Sequence, residues 1–134
     1  MNRAWTAFGG AMLLLSAAAC RREAKAPAAR TAPPEMSYEL RMGREVYRHY
    51  CQTCHGEGGA GDGFNAFNLD PRPRDLSDAA FQKKKSDADL VDAVRRGGAG
   101  VGLSPLMPPW GHTLSATEVR EVVLFVRTFR KPAA

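Results

Sequence analysis

The chain has 134 residues, 44% of them hydrophobic, and a formal net charge of +5 at neutral pH. This length suits one small domain. Residues 37–134 hold 14 basic and 12 acidic side chains, a net charge of +2, and their only dense basic run is Lys83–Lys85. Nucleic-acid binding, which needs a clustered basic face, is therefore not predicted.

Residues 1–19 are typical of a secretory signal peptide. One basic residue, Arg3, precedes an apolar stretch over residues 4–19 that ends in small side chains. The stretch is shorter than the ~20 residues that a membrane-spanning helix needs. We therefore predict export to the periplasm with cleavage of the leader, and an uncleaved anchor is the alternative.

Cys20 follows the small residues of the leader and precedes a charged spacer, a pattern that resembles a bacterial lipoprotein signal. In such proteins the cysteine becomes the lipidated first residue of the mature chain. Ordinary cleavage near Ala19 is the alternative, but it would leave an exposed thiol in an oxidising compartment. We predict a membrane tether through lipidated Cys20, with an Ala/Pro-rich linker over residues 20–36 and a domain over residues 37–134.

The domain is predicted to begin with a helix. Ser37 is a suitable N-cap, and Glu39 lies in the first turn, where the helix dipole favours an anion. Leu40, Gly43, Tyr47 and Tyr50 follow at helical spacing. This helix leads directly into Cys51.

The run Cys51-Gln52-Thr53-Cys54-His55 carries the strongest chemical signal. Two thiols three positions apart, followed at once by histidine, form the pattern of c-type haem attachment. The sulfurs must reach two vinyl groups on one edge of the porphyrin while the imidazole reaches its iron. A redox dithiol would need an α/β chain around it, and a zinc site would need four ligands. We predict one covalent haem c, with His55 as an iron ligand.

The middle of the chain is predicted to be a wrapped loop followed by a helix. Residues 56–75 contain five glycines and two prolines, which forbid long regular structure. The run Lys83–Lys85 is expected in a solvated loop. A helix is predicted from Ser86, with Asp89 as its third residue, to the pair Gly97–Gly98.

Met107 is the only methionine after residue 42, and two prolines follow it. It therefore cannot lie in the middle of a helix and is expected on a stiff loop. We predict that its thioether is the second iron ligand; a methionine that fills a gap in the core is the alternative. His112 competes for this role and would lower the reduction potential. Trp110 is expected to pack on the haem.

The last predicted helix begins at a capping box, with Ser115 as cap and Glu118 reaching back. An apolar stripe of Val119, Val122, Val126 and Phe129 follows at spacings of three and four residues. Three helices and a Gly/Pro-rich loop, with no good strand signal, indicate an all-α domain.

Taken together, these motifs resemble those of class I cytochromes c, close to small bacterial mono-haem members and related oxidase-subunit domains. The resemblance covers about residues 40–130 and depends on Cys51–Gly56, the loop Gly58–Gly63 and the segment Met107–Gly111. It implies a cytochrome c-like fold of about three main helices around one covalent haem.

The resemblance also implies roles for individual residues. The first and last helices are expected to cross where Gly43 and Tyr47 meet Val122 and Phe125. The ring of His55 is expected to be oriented by a proline carbonyl. The candidates for that carbonyl are Pro71 and Pro73. The Arg-rich run over residues 70–76 departs from the family's pattern, and either Arg72 or Arg74 is expected to pair with a haem propionate. For these arginines, surface ion pairs with Asp70 or Asp75 are the alternative.

The predicted function is that of a periplasmic electron carrier, not an enzyme, that cycles Fe(III)/Fe(II) on a single haem and exchanges electrons with a redox donor and acceptor. Two alternatives remain: a haem-based sensor of small ligands, and an electron-delivering subunit of a larger oxidase or reductase.

Overall fold

The structure, a computed structural model, describes residues 35–131. The predicted signal peptide, Cys20 and most of the linker lie outside the described residues. The regular secondary structure of residues 35–131 consists of helices, with no strand, which confirms the predicted all-α class. None of the helices in this range is long and apolar enough to cross a membrane. The elements are α1 Tyr38–Tyr50, α2 Gln52–His55, a 3-10 turn Ala66–Asn68, α3 Ala79–Lys84, α4 Asp87–Gly100 and α5 Ala116–Arg127.

The three helix starts predicted from capping residues are confirmed. The Ser37 hydroxyl accepts a hydrogen bond from the backbone N–H of Leu40 at the start of α1. Reciprocal capping boxes begin α4, between Ser86 and Asp89, and α5, between Ser115 and Glu118. Each box satisfies backbone donors that the first turn of a helix leaves without a partner.

Helices α1 and α5 cross in close contact at Gly43. A β-carbon at this position would overlap the carbonyl oxygen of Glu121 and lie 3.1 Å from the β-carbon of Phe125. One turn further along α1, the ring of Tyr47 lies 5.5 Å from that of Phe125 and 4.9 Å from that of Phe129. The predicted crossing is therefore confirmed, although the backbone nearest to Gly43 is that of Glu121, one residue before Val122.

The hydrophobic core is built mainly on this crossing. Tyr47, Val119 and Val122 are each 1% exposed, so they supply its best-buried side chains. The remaining buried members of the core are Val46, Leu90, Leu114, Val123 and Val126. Cys51 and Trp110 pack against the edge of this cluster, which places the attachment motif beside the core.

The short helix α3 was not predicted. Asp78 caps it by accepting a hydrogen bond from the N–H of Phe81, and Lys83 and Lys84 form its last turn. The expectation that the lysine run lies in a loop is therefore wrong for these two residues. Their position is physically reasonable, because positive charge near a helix C-terminus is favourable.

Arg127, the last residue of α5, connects three helices. Its guanidinium donates to the main-chain carbonyls of Gln82 and Lys85 and to the side-chain oxygen of Gln82, at 2.6–2.9 Å. It also forms an ion pair with Asp87 at 2.7 Å. This one side chain therefore fixes the end of α5 against α3 and the start of α4.

Candidate haem-attachment site

The two thiols of the attachment motif lie at the junction of α1 and α2. Cys51 ends α1, where its N–H donates to the carbonyl of Tyr47, and the four residues of α2 then carry Cys54 and His55. Both cysteines are half-buried and neither is in a disulfide. A single helical turn thus carries both cysteines and the histidine.

The thiol of Cys51 is not in the environment of a reactive redox cysteine. Burial, with a smaller contribution from the neighbouring Cys54, raises the pKa of Cys51 to about 12. Catalytic redox cysteines instead have a thiol pKa well below the ordinary value, because nearby positive charge stabilises their thiolate. Together with the absence of strands from residues 35–131, this argues against the thioredoxin-like alternative.

The ring of His55 is held through one of its two nitrogens. Its Nδ1 lies 3.2 Å from the carbonyl oxygen of Arg74, which leaves Nε2 to act as a metal ligand. Burial lowers the pKa of His55, so the neutral imidazole that a metal needs is favoured. The acceptor was expected to be Pro71 or Pro73, and that expectation is wrong, because the chain presents the carbonyl one residue after Pro73.

The glycine-rich loop folds back over the attachment turn. The N–H groups of Gly61 and Gly63 donate to the carbonyls of His55 and Cys54, at 2.9 and 3.2 Å. Gly61 has a φ of 74°, and a β-carbon there would overlap the carbonyl oxygen of Pro73. The loop can therefore bring its Arg74 carbonyl to His55 only because glycine occupies the point of closest approach.

The two arginines of the loop, Arg72 and Arg74, contact residues other than Asp70 and Asp75. The guanidinium of Arg72 stacks over the ring of Phe67, 5.0 Å from its centroid. That of Arg74 stacks over Phe81 at 4.9 Å and lies 3.9 Å from the carboxylate of Asp78. Within residues 35–131, neither forms the ion pair with Asp70 or Asp75 that was the alternative to propionate binding. Both side chains remain largely exposed.

Met107 lies on the predicted non-helical loop, packed against the end of α4. The backbone of α4 departs from helical geometry at Gly97, with a φ of 68°, where the predicted helix was expected to end. A β-carbon at Gly97 would lie 2.7 Å from the carbonyl oxygen of Met107. The N–H of Gly98 donates to that same oxygen at 2.9 Å. These two glycines therefore hold the methionine loop in place.

Trp110 connects this loop to the attachment motif. Its ring lies 5.1 Å from that of Tyr50, the residue before Cys51, and its main-chain N–H donates to the carbonyl of Val94. The structure thus brings the Met107 segment and the start of the Cys51–His55 turn to the same part of the fold. His112, the competing ligand, is exposed.

Comparison with known proteins agrees with this geometry. Residues 39–126 match the family model described as cytochrome c oxidase, cbb3-type, subunit III. The chain belongs to this cytochrome c family. It is 30% identical over 97 residues to the cbb3-type cytochrome c oxidase subunit FixP of Azorhizobium caulinodans, and 25% identical over 96 residues to FixP of Bradyrhizobium diazoefficiens. Each alignment covers 72% of this chain and 29% of the relative, so the cytochrome spans less than a third of their length.

A solved structure supports the fold. The KustC0563 c-type cytochrome superimposes on this chain with a TM-score of 0.55 at 30% sequence identity, over 66% of this chain and 98% of that one. The predicted resemblance to class I cytochromes c is therefore confirmed, and with it covalent haem c as the cofactor class.

The residues of this cytochrome fit a covalent haem chemically. Two thiols can each form a thioether, and an imidazole held through Nδ1 and a methionine thioether are both known haem ligands. The competing zinc site finds no support, because residues 35–131 contain no group of three or more His, Cys, Asp or Glu side chains placed to hold a metal ion.

Sequence reasoning missed two contacts of this site. One is the Arg74 carbonyl, which no side-chain pattern reveals, since any residue supplies a carbonyl. The other is the hydroxyl of Tyr47, which donates to the carbonyl of Gly56 at 2.7 Å. Tyr47 was identified only as a packing residue, although a tyrosine where phenylalanine would pack equally well is itself a signal for a buried hydrogen bond.

Proposed function

We propose that this cytochrome is a periplasmic electron carrier that holds a single haem c through Cys51 and Cys54, with His55 and Met107 as iron ligands. The observation that supports it best is the single turn that presents two free thiols and an imidazole held through Nδ1. The printed sequence contains one such motif, which supports one haem. When bound, this group supplies reversible exchange between Fe(III) and Fe(II).

The protein's own residues make electron exchange, and not catalysis, the expected reaction. His55 and Met107 would hold the iron of the haem between them, and with both ligands supplied by the protein the group would exchange electrons and not bind a substrate. The Arg74 carbonyl keeps the His55 ring in one tautomer and orientation, and the Gly97–Gly98 pair keeps the methionine loop in place. A rigid ligand set of this kind changes little on oxidation. Trp110 would pack beside it, and Pro71, Pro73, Arg72 and Arg74 would line the adjoining loop.

Covalent attachment is tested by the double variant C51S/C54S, expressed in cells that attach haem. The parent should keep haem after denaturing electrophoresis, and the double variant should keep none, because serine forms no thioether. C20S is the matched control, since it removes the remaining cysteine and should keep its haem. Haem retained by C51S/C54S, or lost from C20S alone, would contradict the assignment.

The Met107 assignment is tested by spectroscopy of the oxidised protein. A weak sulfur-to-iron charge-transfer band should be present in the parent and in H112A, and absent from M107A. A parent without the band, together with a changed spectrum in H112A, would move the second ligand to His112. Rapid carbon monoxide binding by the reduced parent would instead favour the sensor of small ligands, which needs a labile position.

A second candidate function is electron delivery within a larger oxidase. It is favoured by the relatives, which are named as subunits of a cbb3-type cytochrome c oxidase. The chain matches only part of their length, so it would supply the electron-transfer domain of such a complex. Purification from membranes in mild detergent tests it: a stoichiometric oxidase partner would support the subunit, and a free monomer would support an independent carrier.

We further propose that Cys20 is lipidated and tethers the domain to the periplasmic face of a membrane. The support is the sequence alone: an apolar leader, small residues before the cysteine, and a linker rich in alanine and proline. Mass spectrometry of the mature protein tests this: the chain should begin at Cys20 and carry the added mass of acyl chains. A mature chain that begins at another residue, or that has the unmodified mass at Cys20, would contradict the tether.

A further inference from the structure

Tyr47 combines complete burial with one directed polar contact. The residue is 1% exposed, and its hydroxyl donates to the carbonyl of Gly56 over 2.7 Å. Burial raises the pKa of Tyr47 far above its ordinary value of 10, so the hydroxyl stays protonated and acts as a donor throughout the physiological range. Gly56 is the residue directly after His55 in the chain.

The ring that carries this hydroxyl is fixed by Phe125 of α5 and by Phe129, two residues after the end of α5. Phe125 and Phe129 pack against it from two directions, with ring centroids 5.5 and 4.9 Å away. A rigid ring places its hydroxyl at a fixed point, because no rotatable bond separates the two groups. The packing of α1 on α5 is thereby transmitted to one main-chain oxygen beside the proposed ligand.

The Gly56 peptide is held at several other points. Its N–H donates to the carbonyl of Gln52 at 2.8 Å, and its carbonyl also accepts a longer bond of 3.3 Å from the N–H of Gly59. Its φ of 82° belongs to the left-handed region, and a β-carbon there would overlap the carboxylate of Asp62. The Gly56 carbonyl belongs to the peptide between Gly56 and Glu57, and the His55–Gly56 peptide is the one held through its N–H by Gln52. The Tyr47 hydroxyl makes the shorter of the two hydrogen bonds to this carbonyl, so it contributes most to the orientation of the Gly56–Glu57 peptide.

We propose that Tyr47 is a positioning residue for His55: its hydroxyl orients the Gly56–Glu57 peptide and so keeps the imidazole aligned with the carbonyl of Arg74. This inference rests on the proposed function, since it assigns His55 as the ligand. A well-aligned carbonyl acceptor increases the electron donation of a histidine ligand. Loss of the hydroxyl should therefore weaken that donation, destabilise the oxidised state and raise the reduction potential.

The test compares Y47F with Y50F as haem-loaded proteins. Y47F should keep its covalent haem, show a higher potential than the parent, and exchange the His55 Nδ1 proton about tenfold faster by NMR, as the loss of one hydrogen bond predicts. Y50F removes a hydroxyl from a ring that also borders the motif, yet within residues 35–131 that hydroxyl makes no bond to Cys51–Gly56. The reduction potential and the exchange rate of the His55 Nδ1 proton should therefore stay at parent values in Y50F.

A second control separates positioning from general destabilisation. V122A deletes buried methyl groups from the same helix crossing and leaves the hydroxyl of Tyr47 in place. It should lower the Tm without changing the potential or the proton exchange. Equal shifts in Y47F and V122A, an unchanged potential in Y47F, or fast Nδ1 proton exchange in the parent itself would each overturn the inference. Absence of covalent haem from the parent would instead contradict the proposed function.

Discussion

The close approach of α1 and α5 at Gly43 gives the sharpest prediction about stability. In Gly43→Ala the new methyl carbon would lie 2.5 Å from the carbonyl carbon of Glu121, whereas ordinary contact begins at 3.4 Å. The shortfall at this carbon is nearly 1 Å. The obstructing atoms are the carbonyl carbon and the carbonyl oxygen of Glu121, and both belong to the main chain of α5. No rotamer change can relieve the overlap, so α1 and α5 must move apart.

The expected cost follows from two opposing terms. Alanine is the better helix former by ~1 kcal/mol. Overpacking costs typically ~1–3 kcal/mol, and a rigid backbone obstacle belongs at or above the upper end of that range. Opening the crossing also loosens the core around Tyr47 and Val122, where a gap approaching 1 Å forfeits up to about half of the dispersion attraction. We expect a net loss of ~2–3 kcal/mol, which for a domain of this size lowers the Tm by roughly 10–20 °C.

Thermal unfolding of the haem-loaded protein, followed by circular dichroism, measures this loss. Gly58→Ala is the matched control, because nothing lies within 4 Å of a β-carbon at that position and its φ is not in the left-handed region. Its Tm should stay within about 3 °C of the parent, as expected for a surface change. A Tm for Gly43→Ala within that same interval would refute the reasoning, since it would mean that the helices do not touch there.

Three further predictions concern other parts of the fold. Removing the guanidinium in Arg127→Ala should lower the free energy of unfolding by about 2–3 kcal/mol, because the half-buried carbonyls of Gln82 and Lys85 lose a charged donor. Denaturant titration measures this loss. Gly97→Ala should weaken or abolish the Met107 charge-transfer band, because the added methyl would push the methionine loop away from α4. Ser77→Ala should raise the pKa of Asp75, because the Ser77 hydroxyl is the main cause that lowers it below its ordinary value of 3.8. A carboxylate with a lowered folded-state pKa stabilises the fold above the unfolded pKa, so this variant should lose stability at pH 7 and approach the parent as the pH falls below about 4, which Tm values across that range would show.

Each of these has a control in the same chain. Asp87→Ala removes only the exposed partner of Arg127 and should cost less than about 1 kcal/mol; an equal loss in both variants would contradict the role given to the carbonyls. Gly102 has a similar positive φ to Gly97, but nothing lies within 4 Å of a β-carbon at Gly102. The charge-transfer band should therefore persist in Gly102→Ala. For Ser77→Ala, a stability difference from the parent that is independent of pH would show that the serine acts through packing alone.

Much of the architecture follows from local sequence signals. Ser37, Ser86 and Ser115 predict where three helices begin, since capping depends on residues within one turn of each other. The short helix α3 escaped prediction because six residues leave too short a pattern to show helical periodicity.

The attachment motif is equally local, because two sulfurs and an imidazole that act on one ring must be neighbours in the chain. For that reason the sequence by itself was enough to predict the haem attachment proposed at Cys51, Cys54 and His55. It also determined the glycine at the helix crossing and the non-helical loop of Met107. What only the tertiary structure decided are the contacts between distant segments: the Arg74 carbonyl at His55 and the hydroxyl of Tyr47 at Gly56. Main-chain oxygens have no sequence signature, so which one faces a ring depends on how the loop closes over the helix.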